Sequence, residues 1–364
     1  MPIGLYIHVP FCKRKCPYCD FYSLVLTKQN EKDYADAVVR NIENFKGTEI
    51  DSIYFGGGTP SLLSMHSYFV IFNAIKDNLI LSKNCEISLE ANPNSVDEKK
   101  LKSLKNVGFN RISFGVQSCD DSELEILGRL HNFNEAKNAI LSAKNVGFDN
   151  ISADLMLGIV GQNTDSLSYS IRELSKLPIN HISAYILKIE ENTPYNNIDI
   201  IKKLPDDDNI AELYIQAVDE LYANGFSQYE ISNFAKSGYE CKHNLKYWRC
   251  EEYIGIGPSA HSFFGGKRFE VPKNLQEFID SKVQNQVINE ENPHTFEEVA
   301  MLRLRLSEGL TKDICDEFLV DFNEIIKKAQ PLKKAMLVDI FDDKIAITKN
   351  GFLVSNAIIT KLLY

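Results

Sequence analysis

Six short apolar runs rich in β-branched residues, with amphipathic stretches between them, set the tightest limit on how this chain can fold. They are GLYIHV near residue 5, SIYFGG near 53, EISLEA near 88, RISFGVQ near 113, NISADLML near 153 and HISAYIL near 184. Runs of this length read as strands, and the segments between them read as helices, for example Asp33 to Phe45 with apolar residues at three- and four-residue spacing. Asp97 to Val107 is another helix, stopped by Gly108. The tetrapeptide NVGF occurs at 106–109 and again at 145–148, each time closing a helix before the next strand. A strand–helix repeat predicts parallel strands, because each crossover returns the chain in the same direction. Six such units fall short of the eight that close a full barrel. The expected class is therefore α/β, a partial (β/α)6 TIM-like barrel.

Beyond residue 196 the period loosens into NNIDIIKKLPDDDN, a linker whose Asp206-Asp207-Asp208 run after Pro205 reads as a solvated loop leading into a helix from Asn209 to Asn224. SQYEISNF is a further strand-like run, followed by a motif-rich segment at 241–263. Character changes again near NEENPHTFEEVAMLRLRLSEG, where a helical pattern starts after Pro293, and KIAITKNGFLV reads as a hairpin about its Asn-Gly pair. These breaks divide the chain into a core barrel (1–200), a barrel extension (201–290) and a small α+β C-terminal domain (291–364).

The formal net charge of −10 and a pI near 5.3 argue against a grip on nucleic acid, which needs many cations to displace condensed counterions. No apolar run is long enough to span a bilayer, and MPIGLYIHVPFCK lacks the pattern of a signal peptide, so a cytosolic protein is expected. Eight cysteines in such a chain point to metal ligands or reduced core residues, not to a disulfide framework. Three of them, Cys12, Cys16 and Cys19, fall within FCKRKCPYCDFYS as C-x3-C-x2-C. Short loops of this kind let three sulfurs converge on one metal or cluster, and three ligands leave a coordination position open. A zinc site completed by His8, Cys85 or Cys119 is the alternative. FGGGTP, Gly56 to Pro60, follows the second strand, Glu90 ends the third, Gln117 the fourth, Arg129 follows in a helix–turn segment and Asp154 lies in the fifth. Each has an ordinary structural use as a turn, cap or ion pair. Their succession at strand ends marks the face where barrel sites gather.

With these residues in place, the chain resembles the radical S-adenosylmethionine proteins of the coproporphyrinogen oxidase-like family. The resemblance runs from YIHVPFCKRKCPYCDF through GGGTP, RISFGVQS, LGRLH and HISAY to LRLRLSEGL. It implies that Cys12, Cys16 and Cys19 hold a 4Fe-4S cluster whose open iron is chelated by adenosylmethionine, and that a small reduced flavodoxin or ferredoxin donates the electron that splits the cofactor's C–S bond. It assigns Tyr6, Tyr18, Gly57, Gly58, Thr59, Glu90, Gln117, Arg129 and Asp154 to adenosylmethionine contact. The glycines suit close backbone approach, the carboxylates suit amine or hydroxyl donors, and Arg129 suits a carboxylate.

Within that family the chain departs from the decarboxylases. They follow the third cluster cysteine with x and another Cys, where this chain has Phe21, and they carry a longer segment before the cluster than the eleven residues preceding Cys12. HNLKYW, His243 to Trp248, instead matches the H-N-x-x-Y-W motif of the heme chaperone branch. The resemblance thus implies heme binding, with His243, Tyr247, Trp248 and His261 as candidates, and heme delivery to respiratory apo-proteins, through which the chain would meet the membrane peripherally. Outside the family context, a His, a Tyr and a Trp so close together read as a buried hydrogen-bonded cluster. Cys241 and Cys250, which flank the motif, read as reduced and inert. The enzyme reading, an oxygen-independent coproporphyrinogen III oxidase, is the alternative.

Overall fold

In the computed structural model, which describes residues 1–364, the six runs become the parallel strands Ile3–Val9, Glu49–Gly57, Ile80–Ala91, Arg111–Gln117, Asn150–Leu157 and His181–Ile186. Each pairs with the next, in sequence order. The helix expected from Asp33 starts earlier, at Lys28, because Thr27 and Asn30 form a reciprocal capping box, and it ends at Glu43. Glu98–Val107 starts at its Asp97 cap and stops at Gly108 as read. Both NVGF copies end their helix the same way: Gly108 and Gly147 take positive φ, while the Phe109 and Phe148 amides reach back to Leu104 and Ala143. The two phenylalanines are buried. Phe109 meets Phe55, Phe72 and Tyr68 with ring centroids 5.1, 5.0 and 5.2 Å apart, all at steep angles.

Alternation along the strands decides what the two faces of this sheet carry. Ile3, Leu5 and Ile7 point one way, into the helix-covered core; Gly4, Tyr6 and His8 point the other. The same parity brings Ser52 and Tyr54, Glu86, Ser88 and Glu90, Ser113, Ser152 and Asp154 to that second face, which is therefore polar although largely buried.

Residues 201–290 extend the sheet at both edges, making it twelve-stranded. SQYEISNF is not one strand but two, Ser227–Glu230 and Asn233–Ala235, antiparallel to each other, with Asn233–Ala235 pairing with His181–Ile186. At the opposite edge Tyr253–Ile256 runs parallel to Ile3–Val9, and His261–Phe264, Lys267–Glu270 and Val287–Glu291 continue antiparallel from it. Asp206 caps the helix Asp207–Ala223, so the acidic run is the helix entry expected of it. No helix is long and apolar enough to cross a membrane.

Residues 291–364 form helices, among them Phe296–Arg303, Phe322–Lys334 and Ser355–Leu363, around a three-stranded sheet. The hairpin expected at Asn350-Gly351 is absent. Lys344–Ile347 pairs instead with the preceding Val338–Ile340 and with Leu310–Thr311. Thr348 caps a short helix, Lys349–Phe352, that contains Gly351, and an added Cβ there would stand 2.0 Å from the Leu337 carbonyl oxygen. The glycine serves a close approach between segments, not a turn.

Phe109→Ala would empty the centre of the aromatic cluster. A loss of about 3–5 kcal/mol is expected in denaturant unfolding, with an unchanged m-value.

Candidate functional site

At the C-terminal ends of the parallel strands, the polar face opens into a cleft of about 930 Å³. The three motif cysteines line it, as do all of the residues assigned above to adenosylmethionine contact. Tyr247 and His261 line it too; His243 and Trp248 do not.

The cysteine loop is pinned from several sides. Cys12 Sγ lies 3.5 Å from Thr59 Oγ1, and the Cys19 amide donates to Cys16 O at 3.1 Å. Arg14 Nη2 donates to Gly128 O at 2.5 Å, where an added Cβ would come within 3.0 Å of Pro17. Tyr195, on the segment after the sixth strand, donates its amide to Pro17 O at 3.1 Å and its hydroxyl to Ile126 O, and sets its ring edge-on to Tyr18. Arg129 Nη1 sits 3.5 Å from Cys16 Sγ. All three thiols are free and half-buried, and none of the other five cysteines faces the cleft. Cys119 is bonded to Ser170, Cys85 is buried with its pKa pushed up to about 12 chiefly by burial, and His8 has both ring nitrogens engaged, by Tyr6 and by Tyr22 O. The donor set matches a cluster held by three thiolates better than a closed zinc site.

Two half-buried carboxylates line the same cleft as the cysteines. Glu90 accepts from Tyr54 OH at 2.9 Å and from the Gly57 amide at 3.2 Å; Asp154 accepts from Ser113 at 3.1 Å. Burial, then the charge of Asp154, raises the Glu90 pKa to about 7, and burial raises that of Asp154 to about 6. Arg129 donates through Nη2 to Asn92 Oδ1 (2.5 Å) and Gly115 O (2.6 Å), while its buried Nε has no partner. Two carboxylates whose proton affinity stays raised despite the charge of Arg111, beside an arginine with an unpaired Nε, fit a ligand that carries both an ammonium or sulfonium and a carboxylate. Gln117 closes its strand at φ 74, a strained value for a residue with a side chain, and accepts from Tyr185 OH at 2.8 Å.

The two glycines that line the cleft are also needed by the chain's own packing. A Cβ on Gly57, at φ 104, would stand 2.6 Å from the His8 ring, and one on Gly58 would stand 2.6 Å from Phe11 O. Both are required by the chain's own approach to the first strand and the cysteine loop.

HNLKYW forms the helix Lys242–Trp248, laid across the polar face of the first two strands. His243 is buried; one ring nitrogen meets Ser52 Oγ at 3.0 Å and the other Tyr247 OH at 2.8 Å. Burial, aided by Lys246 and Arg111, lowers its pKa to about 3. With both nitrogens taken it is a strut that orients Tyr247, not a free iron ligand. Trp248 faces a neighbouring cavity of about 590 Å³, reached past Asn233, Asn244 and Tyr247, which border both spaces. Cys241 and Cys250 are buried with pKa values pushed up to about 12 and about 11, mainly by burial, and are thiols. Sequence reasoning missed Asn92, Tyr185, Tyr195 and Lys273. Only Asn92 and Tyr185 carry a local signal, following strand-end positions in EAN and HISAY.

Three comparisons bear on this geometry. The radical SAM superfamily model matches residues 6–174 and the HemN C-terminal domain model matches 292–354. The chain is 40% identical to the heme chaperone HemW of Escherichia coli K12 over 71% of this chain and 70% of that protein. It is 36% identical to the Bacillus subtilis protein of that name over 84% of each, and 31% identical to that of Lactococcus lactis over 100% of this chain and 97% of the relative. Coproporphyrinogen III oxidase (HemN) of E. coli superposes with a TM-score of 0.83 at 22% identity, covering 99% of this chain and 90% of that one, which establishes the fold as the mixed α/β architecture of radical SAM proteins. The superfamily implies a 4Fe-4S cluster and S-adenosylmethionine.

Two outcomes test the site. Cys16→Ala should remove the cluster's visible absorption after anaerobic reconstitution; a full 4Fe-4S signal would reject the ligand assignment. Because Glu90 and Asp154 hold protons more tightly folded than unfolded, their contribution favours folding below about pH 4 and is lost as pH rises through about 6 to 7. The buried, neutral His8, His131, His181 and His243 act with the opposite sign over the same range, so the test is the difference between variants: Glu90→Gln should lower the melting temperature of the cofactor-free protein at pH 6 relative to pH 8, compared with wild type. On its sequence, its domains and its cleft, this chain belongs to the HemW heme chaperone family of the radical SAM superfamily.

Proposed function

We propose that this protein binds heme and passes it to apo-proteins of the respiratory chain, retaining a 4Fe-4S cluster and adenosylmethionine in the same cleft. The observation that carries the reading is the likeness to heme chaperones along the whole chain, above all the Lactococcus relative matched over nearly all of both sequences. The chemistry of the cleft supports it. Heme is a flat apolar macrocycle edged by two carboxylates. Tyr18, Phe21 and Ile186 offer apolar surface, with Phe21 60% exposed, and Arg14, Lys15, Lys188 and Lys273 line the same cleft as cations.

In this reading Cys12, Cys16 and Cys19 hold the cluster; Glu90 and Asp154 hold the cationic end of adenosylmethionine and Arg129 its carboxylate. When bound and reduced by a flavodoxin or ferredoxin, the cluster supplies one electron for cleaving the sulfonium C–S bond. Tyr195, Arg14 and Thr59 fix the loop, and Tyr6, His8 and Tyr54 form part of the cleft floor, with Tyr6 bonded to His8 and Tyr54 to Glu90. Transfer of heme to a membrane-bound client would bring the protein to the bilayer only through that client.

The second reading, oxidative decarboxylation of coproporphyrinogen III, rests on the same adenosylmethionine residues; fold likeness to the oxidase does not carry it. A single preparation separates the two. With cluster reconstituted anaerobically and reductant and adenosylmethionine supplied, stoichiometric hemin uptake and its transfer to an apo-cytochrome, without vinyl product from coproporphyrinogen III, is expected. Turnover to protoporphyrinogen IX would replace the carrier reading.

A further inference from the structure

We propose that His261, not the histidine of HNLKYW, is the protein's ligand to the heme iron, oriented by Glu270; this rests on the heme-carrier reading above. A metal-binding imidazole needs a free nitrogen facing the ligand space, and its other nitrogen is ordinarily fixed by donating to a carboxylate or carbonyl.

The chain has seven histidines. Two can be set aside at once, since His66 and His294 do not face the cleft. His131 is buried outside it and bonded to Val116 O. His181 is bonded at both ring nitrogens, to Ser152 Oγ and Tyr229 OH, each at 2.8 Å. His243 is likewise bonded on both sides, as is His8 within the cleft wall. His261 alone lines the cleft with its side chain 59% exposed and one nitrogen free. Its only polar partner is Glu270, whose Oε2 lies 3.3 Å from Nε2. That pairing is built into the sheet: His261 and Glu270 stand directly opposite each other on adjacent antiparallel strands. The Glu270 carboxylate beside Nε2 leaves Nδ1 without a polar partner.

The backbone beneath His261 is as constrained as its ring. A Cβ on Gly255 would stand 2.2 Å from His261 O, and the Gly255 amide donates to Ser262 Oγ at 2.9 Å. The strand carrying His261 is thus held against Tyr253–Ile256 and, through it, against the first barrel strand. A ligand on so rigid an element keeps its direction. Tyr247 and Tyr253, 4.5 Å apart edge-to-face, line the cleft on the same side as an aromatic wall, and Lys273 offers a cation for a propionate. Coordination needs only the imidazole lone pair, with no proton or electron exchanged.

The test titrates hemin into the full-length, cluster-loaded protein and reads the Soret band and the ferric EPR signal. His261→Ala is expected to lose the imidazole-ligated spectrum and at least tenfold in affinity, with both restored by added imidazole, while cluster absorption and adenosylmethionine binding stay as in wild type. His261→Met, which keeps bulk should the alanine variant fold poorly, should convert the spectrum to that of a thioether-ligated heme. Glu270→Gln should weaken binding about tenfold, as loss of an orienting carboxylate does. A His261→Ala spectrum and affinity equal to wild type, or a loss that imidazole does not restore, would overturn the assignment; so would His243→Ala alone abolishing the ligand signature in a folded protein. Failure of the wild type to take up hemin would instead overturn the carrier reading on which the assignment stands.

Discussion

Two half-buried carboxylates on one face of a parallel sheet, one strand apart at the cleft floor, are the constraint around which this molecule is arranged. Glu90 and Asp154 reach that position through strand parity alone, since the alternation that sends Leu89 and Leu155 into the core sends them the other way. Their hydrogen bonds to Tyr54, Gly57 and Ser113 offset only part of the desolvation, as their raised proton affinities show. Such a pair is costly unless a cation arrives. A sulfonium with its amino group is a fitting answer, and the unpartnered Arg129 Nε nearby suits the carboxylate at that molecule's other end.

The cysteine loop is held to this floor by contacts far apart in sequence. Thr59 meets it from the second strand's end, Gly128 and Arg129 from the segment after the fourth strand, and Tyr195 from the segment after the sixth. Because each support stands on a different β–α unit, the loop's geometry reports the assembly of the whole barrel. Gly57 and Gly58 belong to the same fastening: they let the second strand's end close onto His8 and Phe11, bringing the loop's root against the site.

Much of this was legible in the sequence because it follows from periods. The six strands, the NVGF helix stops and the strand-end polar residues all emerge from local alternation and glycine chemistry, and they recur in the structure within a few residues. What was not legible depends on partners distant in the chain. SQYEISNF divides in two because Ile231 and Ser232 form a turn that lets Asn233–Ala235 pair with the sixth strand. The Asn350-Gly351 pair looks like a turn but lies in a helix, because Thr348 supplies a cap and Leu337 leaves no room for a side chain. Tyr195, in an irregular stretch, gives no local sign that it fastens the cysteine loop.

HNLKYW shows the same limit within a motif. Its residues look alike in the sequence, yet the helix sends them to different places: His243 under the sheet face, Tyr247 to the cleft wall, Trp248 to the adjoining cavity. His243 stacks on Tyr54 and Tyr6, the tyrosines that flank Glu90, and holds Tyr247 by its hydroxyl. The adjoining cavity is closed on its far side by Glu298 and Leu302 of the C-terminal region, with Arg268 paired to Glu298 at 2.7 Å. A single short helix therefore links the carboxylate floor, the cleft wall and the C-terminal region. Substituting its histidine would disturb all three through packing, so loss of heme binding on that change alone does not identify an iron ligand; only the spectrum of the bound iron separates a strut from a ligand.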